Sequence, residues 1–309
     1  MDIGFSLPSV GPAPDREFVL EVTRAAERLG FHSVWTTDHV GLPANRTSRY
    51  PYPRSTTELA FSPGMMWLDP VAVMGFVAGV TERIVVGTSV LVLPYRNPLV
   101  LANEMASLDR LSEGRVILGV GVGWMDEEFE ALGVPKRERG ARTDEYLRAM
   151  RALWDGGPAT FEGRFVQVRD LALATAPATA GGPPVYVGGN EEPGLRRALT
   201  LGDGWLGFEI FLGDLPGILQ TLGRLGDEVG RDPAELTLSV RRGLLPPFEV
   251  TNFLPDRRAV QGSPSEIADE IGRFGAQGIS LMVFDLAMIP PEMVRTMEWF
   301  AAEVAPLLD

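Results

Sequence analysis

Eight short runs rich in β-branched residues, each followed by an amphipathic segment of helical period, set the frame for this 309-residue chain. The runs are 3–7, 33–37, 84–91, 116–120, 184–187, 204–208, 236–240 and 279–284. The helical patterns that follow are 16–29, 70–80, 99–110, 127–132 with 141–154, 193–201, 215–229, 265–274 and 291–307. Strands that alternate with helices demand parallel pairing and crossover connections, and eight such units close into an α/β (β/α)8 TIM barrel. We therefore expect one barrel domain over 1–309, with extended loops at its C-terminal face near 41–67, 156–182 and 243–262. Ser263-Pro264-Ser265-Glu266 reads as a helix start, with a hydroxyl cap, a proline at the first helical position and an acid in the first turn. Within the second insertion, Glu162-Gly163 between alternating apolar residues of 161–168 predicts a hairpin.

Rare residue types narrow the chemistry. The chain has no cysteine, so thiolate zinc, iron–sulfur clusters, disulfides and cysteine nucleophiles are excluded. Two histidines, His32 and His39, are too few for a three-histidine zinc site, and no metal site is expected. Lys136 is the sole lysine, and its Pro135-Lys136-Arg137 setting fits neither a Walker loop nor a Schiff base. A net charge of −13 repels nucleic acid. The N-terminus Met1-Asp2-Ile3-Gly4-Phe5 lacks the basic flank and apolar core of a leader, and no apolar run is long enough to span a bilayer. A cytoplasmic location without membrane contact is the expectation.

Barrel enzymes carry their sites at the C-terminal ends of strands. The second strand ends Trp35-Thr36-Thr37-Asp38-His39, which puts an acid and an imidazole at that rim. Neighbours on an extended chain point to opposite faces, so Asp38 and His39 share one only if the strand bends. His32 falls at the other end of the barrel and reads as structural. The fourth strand runs through Gly119, Gly121, Val122, Gly123 and Trp124. Its alternating glycines admit either a flat ligand or tight barrel packing. They are not a dinucleotide fingerprint, since the spacing fails and Asp126, Glu127 and Glu128 already occupy the next helix start. The fifth strand exits through Gly188, Gly189 and Asn190 into a helix, a start whose exposed backbone N–H groups suit an anion, opposed by Glu191 and Glu192 and helped by Arg196 and Arg197.

Together, Trp35-Thr36-Thr37-Asp38-His39, Gly87-Thr88-Ser89-Val90, Leu111-Ser112-Glu113-Gly114-Arg115, Gly119-Val120-Gly121-Val122-Gly123-Trp124, Glu128-Phe129, Arg139-Gly140, Gly188-Gly189-Asn190 and Asp203-Gly204-Trp205 resemble the bacterial-luciferase-like flavin oxidoreductases, most closely the branch that uses the deazaflavin F420. The resemblance implies a hydride-transferring oxidoreductase with F420 at the barrel rim. By the same resemblance Asp38 and His39 are expected to touch the cofactor beside its reactive ring carbon as the catalytic pair, with His39 as acid or base and Asp38 orienting the imidazole or stabilising its cation. It further implies a non-proline cis peptide at Ser89-Val90 under the cofactor ring, with Gly121, Val122 and Gly123 beside it. Gly188, Gly189 and Asn190 would then meet the phosphate-bearing tail.

The sequence departs from the F420-dependent sugar-phosphate dehydrogenases of this group. Their catalytic glutamate beyond the fourth strand is replaced here by Trp124-Met125, and the phosphate-binding lysines are missing. Trp67 and Trp124, with Phe61, Met65 and Met66, suggest a pocket for a small apolar substrate instead. Two alternatives stand beside this reading. One is an FMN-dependent monooxygenase fed by a partner flavin reductase; the other is a flavin-binding barrel without catalysis. A homodimer is compatible with all three.

Overall fold

The computed structural model describes residues 1–11, 14–52, 64–251, 259–286 and 289–308. Eight parallel strands close into a barrel: β1 Asp2–Ser6, β2 Ser33–Thr36, β3 Val85–Thr88, β4 Val116–Gly121, β5 Val185–Gly188, β6 Gly204–Phe208, β7 Thr237–Gly243 and β8 Leu281–Asp285. Closure is direct, because β8 pairs with β1 through Val283 and Gly4, and β4 pairs with β5 through Gly119 and Tyr186. Around it lie α1 Arg16–Arg28, α2 Pro70–Val80, α3 Pro98–Leu111, α4 Asp126–Ala131, α5 Arg139–Trp154, α6 Glu192–Leu201, α7 Leu215–Val229, α8 Pro264–Gly275 and α9 Pro290–Trp299. All eight expected strands and their helices are present.

Two cores follow from strand alternation. Inside the barrel, Trp35, Ile117, Tyr186, Leu206, Leu281 and Val283 pack as one cluster. Trp35 fits because its neighbours are small. A Cβ on Gly87, its register partner, would stand 2.5 Å from the indole, and one on Gly4 would stand 2.8 Å from it. Outward-facing residues such as Phe5, Val34 and Val86 bury against the helices. Caps sharpen the helix starts: Asp69 accepts from Val71 and Ala72, and Ser263 with Glu266 forms the capping box read from the sequence.

Two elements differ from the expected outline. The third strand stops at Thr88, three residues early. The chain then turns through the cis Ser89–Val90 peptide and resumes as Leu91–Val92, where Leu91 pairs with Val120 of β4. The last helix ends at Trp299 and continues as a π turn over Phe300–Val304, which places Phe300 fully inside the core. The hairpin forms as Ala159–Glu162 against Gln167–Leu171. Its turn is held by Glu145, which accepts from the amides of Arg164, Phe165 and Val166 at 2.9, 2.6 and 2.7 Å. Among the described residues, no helix is long and apolar enough to cross a membrane.

Candidate active site

The C-terminal rim of the barrel opens into a cleft of about 1250 Å³. Strand alternation delivers His39 to it. Trp35 points into the barrel, so Thr37 and His39 follow on the same side, while Thr36 and Asp38 point away. His39 lines the cleft, and its Nδ1 lies 2.7 Å from Glu128 Oε2 on α4. Against an ionised carboxylate Nδ1 is the donor, which leaves Nε2 as the basic nitrogen of the neutral ring. Glu128 also accepts from the Tyr95 hydroxyl at 3.1 Å and from the amides of Val40 and Gly41 at 2.6 and 3.2 Å. Burial opposes its charge. The His39 bond and the loop amides outweigh that, and hold the carboxyl below the usual range.

The expectation that Asp38 orients the imidazole is therefore corrected. The Asp38 carboxylate, fully enclosed, forms a two-point pair with Arg96, whose Nη2 lies 3.0 Å from Oδ1, and accepts from the Val92 amide at 2.8 Å. Burial pushes the Asp38 carboxyl up, against the pull of Arg96 and that amide. Asp38 still borders the cleft, and its role there is to tie the end of β2 to the chain that follows the cis peptide. Arg96 also reaches Asp69 at the α2 cap, at 2.9 Å.

The cleft floor is built by close fit. The Val90 side chain sits in a notch between β4 and β5, where a Cβ on Gly121 would be 2.5 Å from its Cγ2 and one on Gly188 2.8 Å from its Cγ1. Of the two readings of the fourth-strand glycines, tight packing explains Gly119 and Gly121, because a Cβ on Gly119 would stand 1.8 Å from the Thr88 carbonyl oxygen. Ser89, Val90, Gly121, Val122 and Gly123 all line the cleft. Arg241, from the end of β7, donates to the Ser89 carbonyl oxygen and pairs with Asp285 at 2.6 Å.

The apolar residues divide. Trp124 lines the cleft, whereas Trp67 stands beside His39 at 4.7 Å between ring centroids and donates its indole N–H to Thr37 Oγ1 at 2.7 Å. Trp67 thus braces the imidazole instead of forming pocket wall, and Met66 lies 48% exposed on a two-residue strand paired with Val10–Gly11. Phe61 lies outside the described residues.

At the other end, Gly188, Gly189 and Asn190 line the cleft. The Asn190 carboxamide is engaged at both its ends, donating to the Phe208 carbonyl at 2.7 Å and accepting from the Phe208 amide at 3.1 Å. Its side chain fixes the rim between β5 and β6. Arg196 is tied to Glu192 and Glu228, and Arg197 to Asp144. Arg137 and Arg139, which the sequence did not single out as ligands, line the cleft beside Gly140. Glu128, Tyr95, Arg96 and Arg241 were likewise invisible as site residues, since their partners are 33 to 152 positions away in the chain. The one available signal was an acid next to apolar Phe129 in a short helix after a rim strand.

Comparison with known proteins agrees with this geometry. A family model described as luciferase-like monooxygenase matches residues 1–245. An uncharacterized protein of Mycobacterium tuberculosis is 32% identical over 218 residues, 70% of this chain and 74% of that protein. An F420-dependent glucose-6-phosphate dehydrogenase of Intrasporangium calvum is 28% identical over 336 residues, 94% of each chain. Among solved structures, an F420-dependent secondary alcohol dehydrogenase in complex with an F420-acetone adduct superposes with a TM-score of 0.78 at 21% identity, over 100% of this chain and 99% of that one. With a closed eight-stranded barrel, an imidazole and carboxylate at its rim and a family match over more than three quarters of its length, the chain belongs to the luciferase-like monooxygenase family.

Proposed function

We propose that this protein is an F420-dependent oxidoreductase that passes a hydride between the deazaflavin and a small apolar organic substrate. The observation that carries the reading is the His39–Glu128 pair, buried at the wall of a cleft whose floor is Val90 seated on Gly121 and Gly188. The F420-dependent relative that spans 94% of the chain supports the cofactor.

The residues present fit a tricyclic ring with an anionic tail. Ser89, Val90, Gly121 and Gly123 offer a floor with few protruding side chains, and the Gly188-Gly189 backbone with Arg137 and Arg139 offers donors and positive charge for a phosphate. When bound, the deazaflavin supplies the carbon that gives or accepts the hydride. The protein's part is orientation and proton handling. His39 Nε2 gives or takes a proton at the substrate atom next to the one that changes oxidation level. Glu128 keeps the imidazole in the tautomer with Nδ1 protonated and stabilises its cation, while Trp67 and Trp124 limit water around it. A sugar phosphate is not the proposed substrate, because the sole lysine, Lys136, is paired with Asp126 at 2.8 Å.

A second reading, an FMN-dependent monooxygenase supplied by a partner reductase, is favoured by the family description itself. Parallel calorimetric titrations with F420 and FMN separate the two. Micromolar binding of F420 alone is expected; preference for FMN, with oxygen uptake when the flavin is reduced, would reverse the order. Binding of either cofactor without turnover of any acceptor would leave a carrier, against which the intact His39–Glu128 pair speaks.

A further inference from the structure

One guanidinium spans the mouth of the barrel. Arg241 leaves the end of β7, and its Nη1 donates to the carbonyl oxygen of Ser89, in the chain that follows β3. Its Nε and Nη2 donate to Asp285 of β8 at 2.9 and 2.6 Å, and the Ser6 hydroxyl of β1 donates to the same carboxylate. Phe208 stands beside the group, with its ring centroid 5.6 Å from the guanidinium carbon. These contacts hold the Arg241 head in one place, where it lines the cleft and its side chain is 12% exposed.

Its donors are not all used. A guanidinium carries one N–H on Nε and two on each terminal nitrogen. Asp285 takes the Nε donor and one of Nη2, and the Ser89 carbonyl takes one of Nη1. The second N–H of Nη2 has no acceptor among the described residues, and that of Nη1 meets at most the Ser89 hydroxyl at 3.3 Å. An enclosed donor is unfavourable unless something accepts from it. Val90, the residue after Ser89, is the floor seated against Gly121 and Gly188. Arg241 therefore stands one hydrogen bond from that floor, and its unspent donor meets the edge of a flat ring laid there. In F420 and FMN alike, the acceptors on such an edge are the carbonyl oxygens of the pyrimidinedione ring.

We infer that Arg241 is a cofactor-binding residue that donates to a pyrimidinedione carbonyl of the bound deazaflavin. The inference rests on the cofactor ring lying on the Val90 floor, as proposed above. It adds the side chain that recognises one edge of the ring, with Asp285 and Ser6 as the groups that position it.

Infrared difference spectra of protein-bound F420, with and without ¹³C at the pyrimidinedione carbonyls, test it beside calorimetric affinities. A hydrogen bond from Arg241 lowers a ring carbonyl frequency below its value in an aprotic solvent. A parent band at the aprotic-solvent frequency would overturn the inference with no variant needed. Arg241→Lys keeps the charge opposite Asp285 but loses the planar fork, and Arg241→Gln with Asp285→Asn removes both charges together, so neither is left unmatched. In each, the band should move up and F420 affinity should fall about tenfold, the loss of one hydrogen bond from a charged donor. Affinity that falls while the band stays in place would also overturn the inference, and would leave Arg241 as a brace for the Ser89 carbonyl alone. If FMN binds and F420 does not, the F420 reading falls by itself, and the same bands of FMN decide the role of Arg241. If neither binds, both fall.

Discussion

His39 and Glu128, 89 positions apart in the chain, are joined Nδ1 to Oε2 at 2.7 Å, and the same carboxylate accepts the amides of the two residues that follow His39. One side chain therefore fixes both the imidazole tautomer and the path of the loop that carries it.

From this, His39→Ala should lower turnover by about 10²–10⁴-fold, the range of a lost acid–base group, with cofactor affinity nearly unchanged. Glu128→Gln keeps the shape but not the charge, so it should reduce turnover by about tenfold or more, because the negative charge that balances a protonated imidazole is lost. Steady-state pH profiles with stopped-flow cofactor titrations check both. A Glu128→Gln profile that overlays the parent would remove Glu128 from the mechanism.

Asp38 and Arg96 form an enclosed pair, with the carboxylate side chain wholly inaccessible and the guanidinium 16% exposed. Removing one member of such a pair leaves the other buried and unmatched, at a cost of about 3–5 kcal/mol. Arg96→Met should therefore lower stability by that order in chemical denaturation, with a clear drop in Tm. A loss below about 1 kcal/mol would show that water reaches Asp38.

Glu127, the neighbour of Glu128, clamps the loop further on. It accepts from the amide and hydroxyl of Thr47 at 2.6 and 2.9 Å, and from those of Ser48 at 3.1 and 2.6 Å. The Ser48 hydroxyl and the Thr47 amide hold its carboxyl well below the usual range. A depressed carboxylate stabilises at pH above its unfolded value and is lost as pH falls through the folded value. The clamp should thus persist unchanged from pH 5 to 8 and release only in strong acid. Glu127→Ala should speed tryptic cleavage at Arg46 and Arg49 several-fold at neutral pH, read by mass spectrometry. Equal cleavage in parent and variant would show that other contacts hold the loop.

The notch under Val90 predicts a graded response to a single methyl group. Gly119→Ala drives its Cβ against the backbone oxygen of Thr88, which cannot yield, and should abolish folding. Gly121→Ala meets only the Val90 side chain, so it should cost about 1–3 kcal/mol and weaken cofactor binding. Val90→Ala in the Gly121→Ala background should recover part of that stability; a double-mutant cycle with no coupling would place Val90 elsewhere.

The barrel was legible because its signal is local and repeated. Eight alternations of β-branched runs with helical periodicity, with caps such as Ser263-Glu266, admit few other closures. His39 was legible for the same reason, since strand end and barrel rim are one address. Its partner was not. Asp38 is next in sequence, but extended backbone turns adjacent side chains to opposite faces, and that sent Asp38 to Arg96 and left His39 to Glu128. Likewise, the spacing of Gly119, Gly121 and Gly188 showed that side chains were missing there, and only the packed structure shows that Thr88 and Val90 fill the space. Periodicity within a segment belongs to the sequence; which side chain meets which across 50 or more residues is decided when the barrel closes, because those contacts depend on register and not on spacing along the chain.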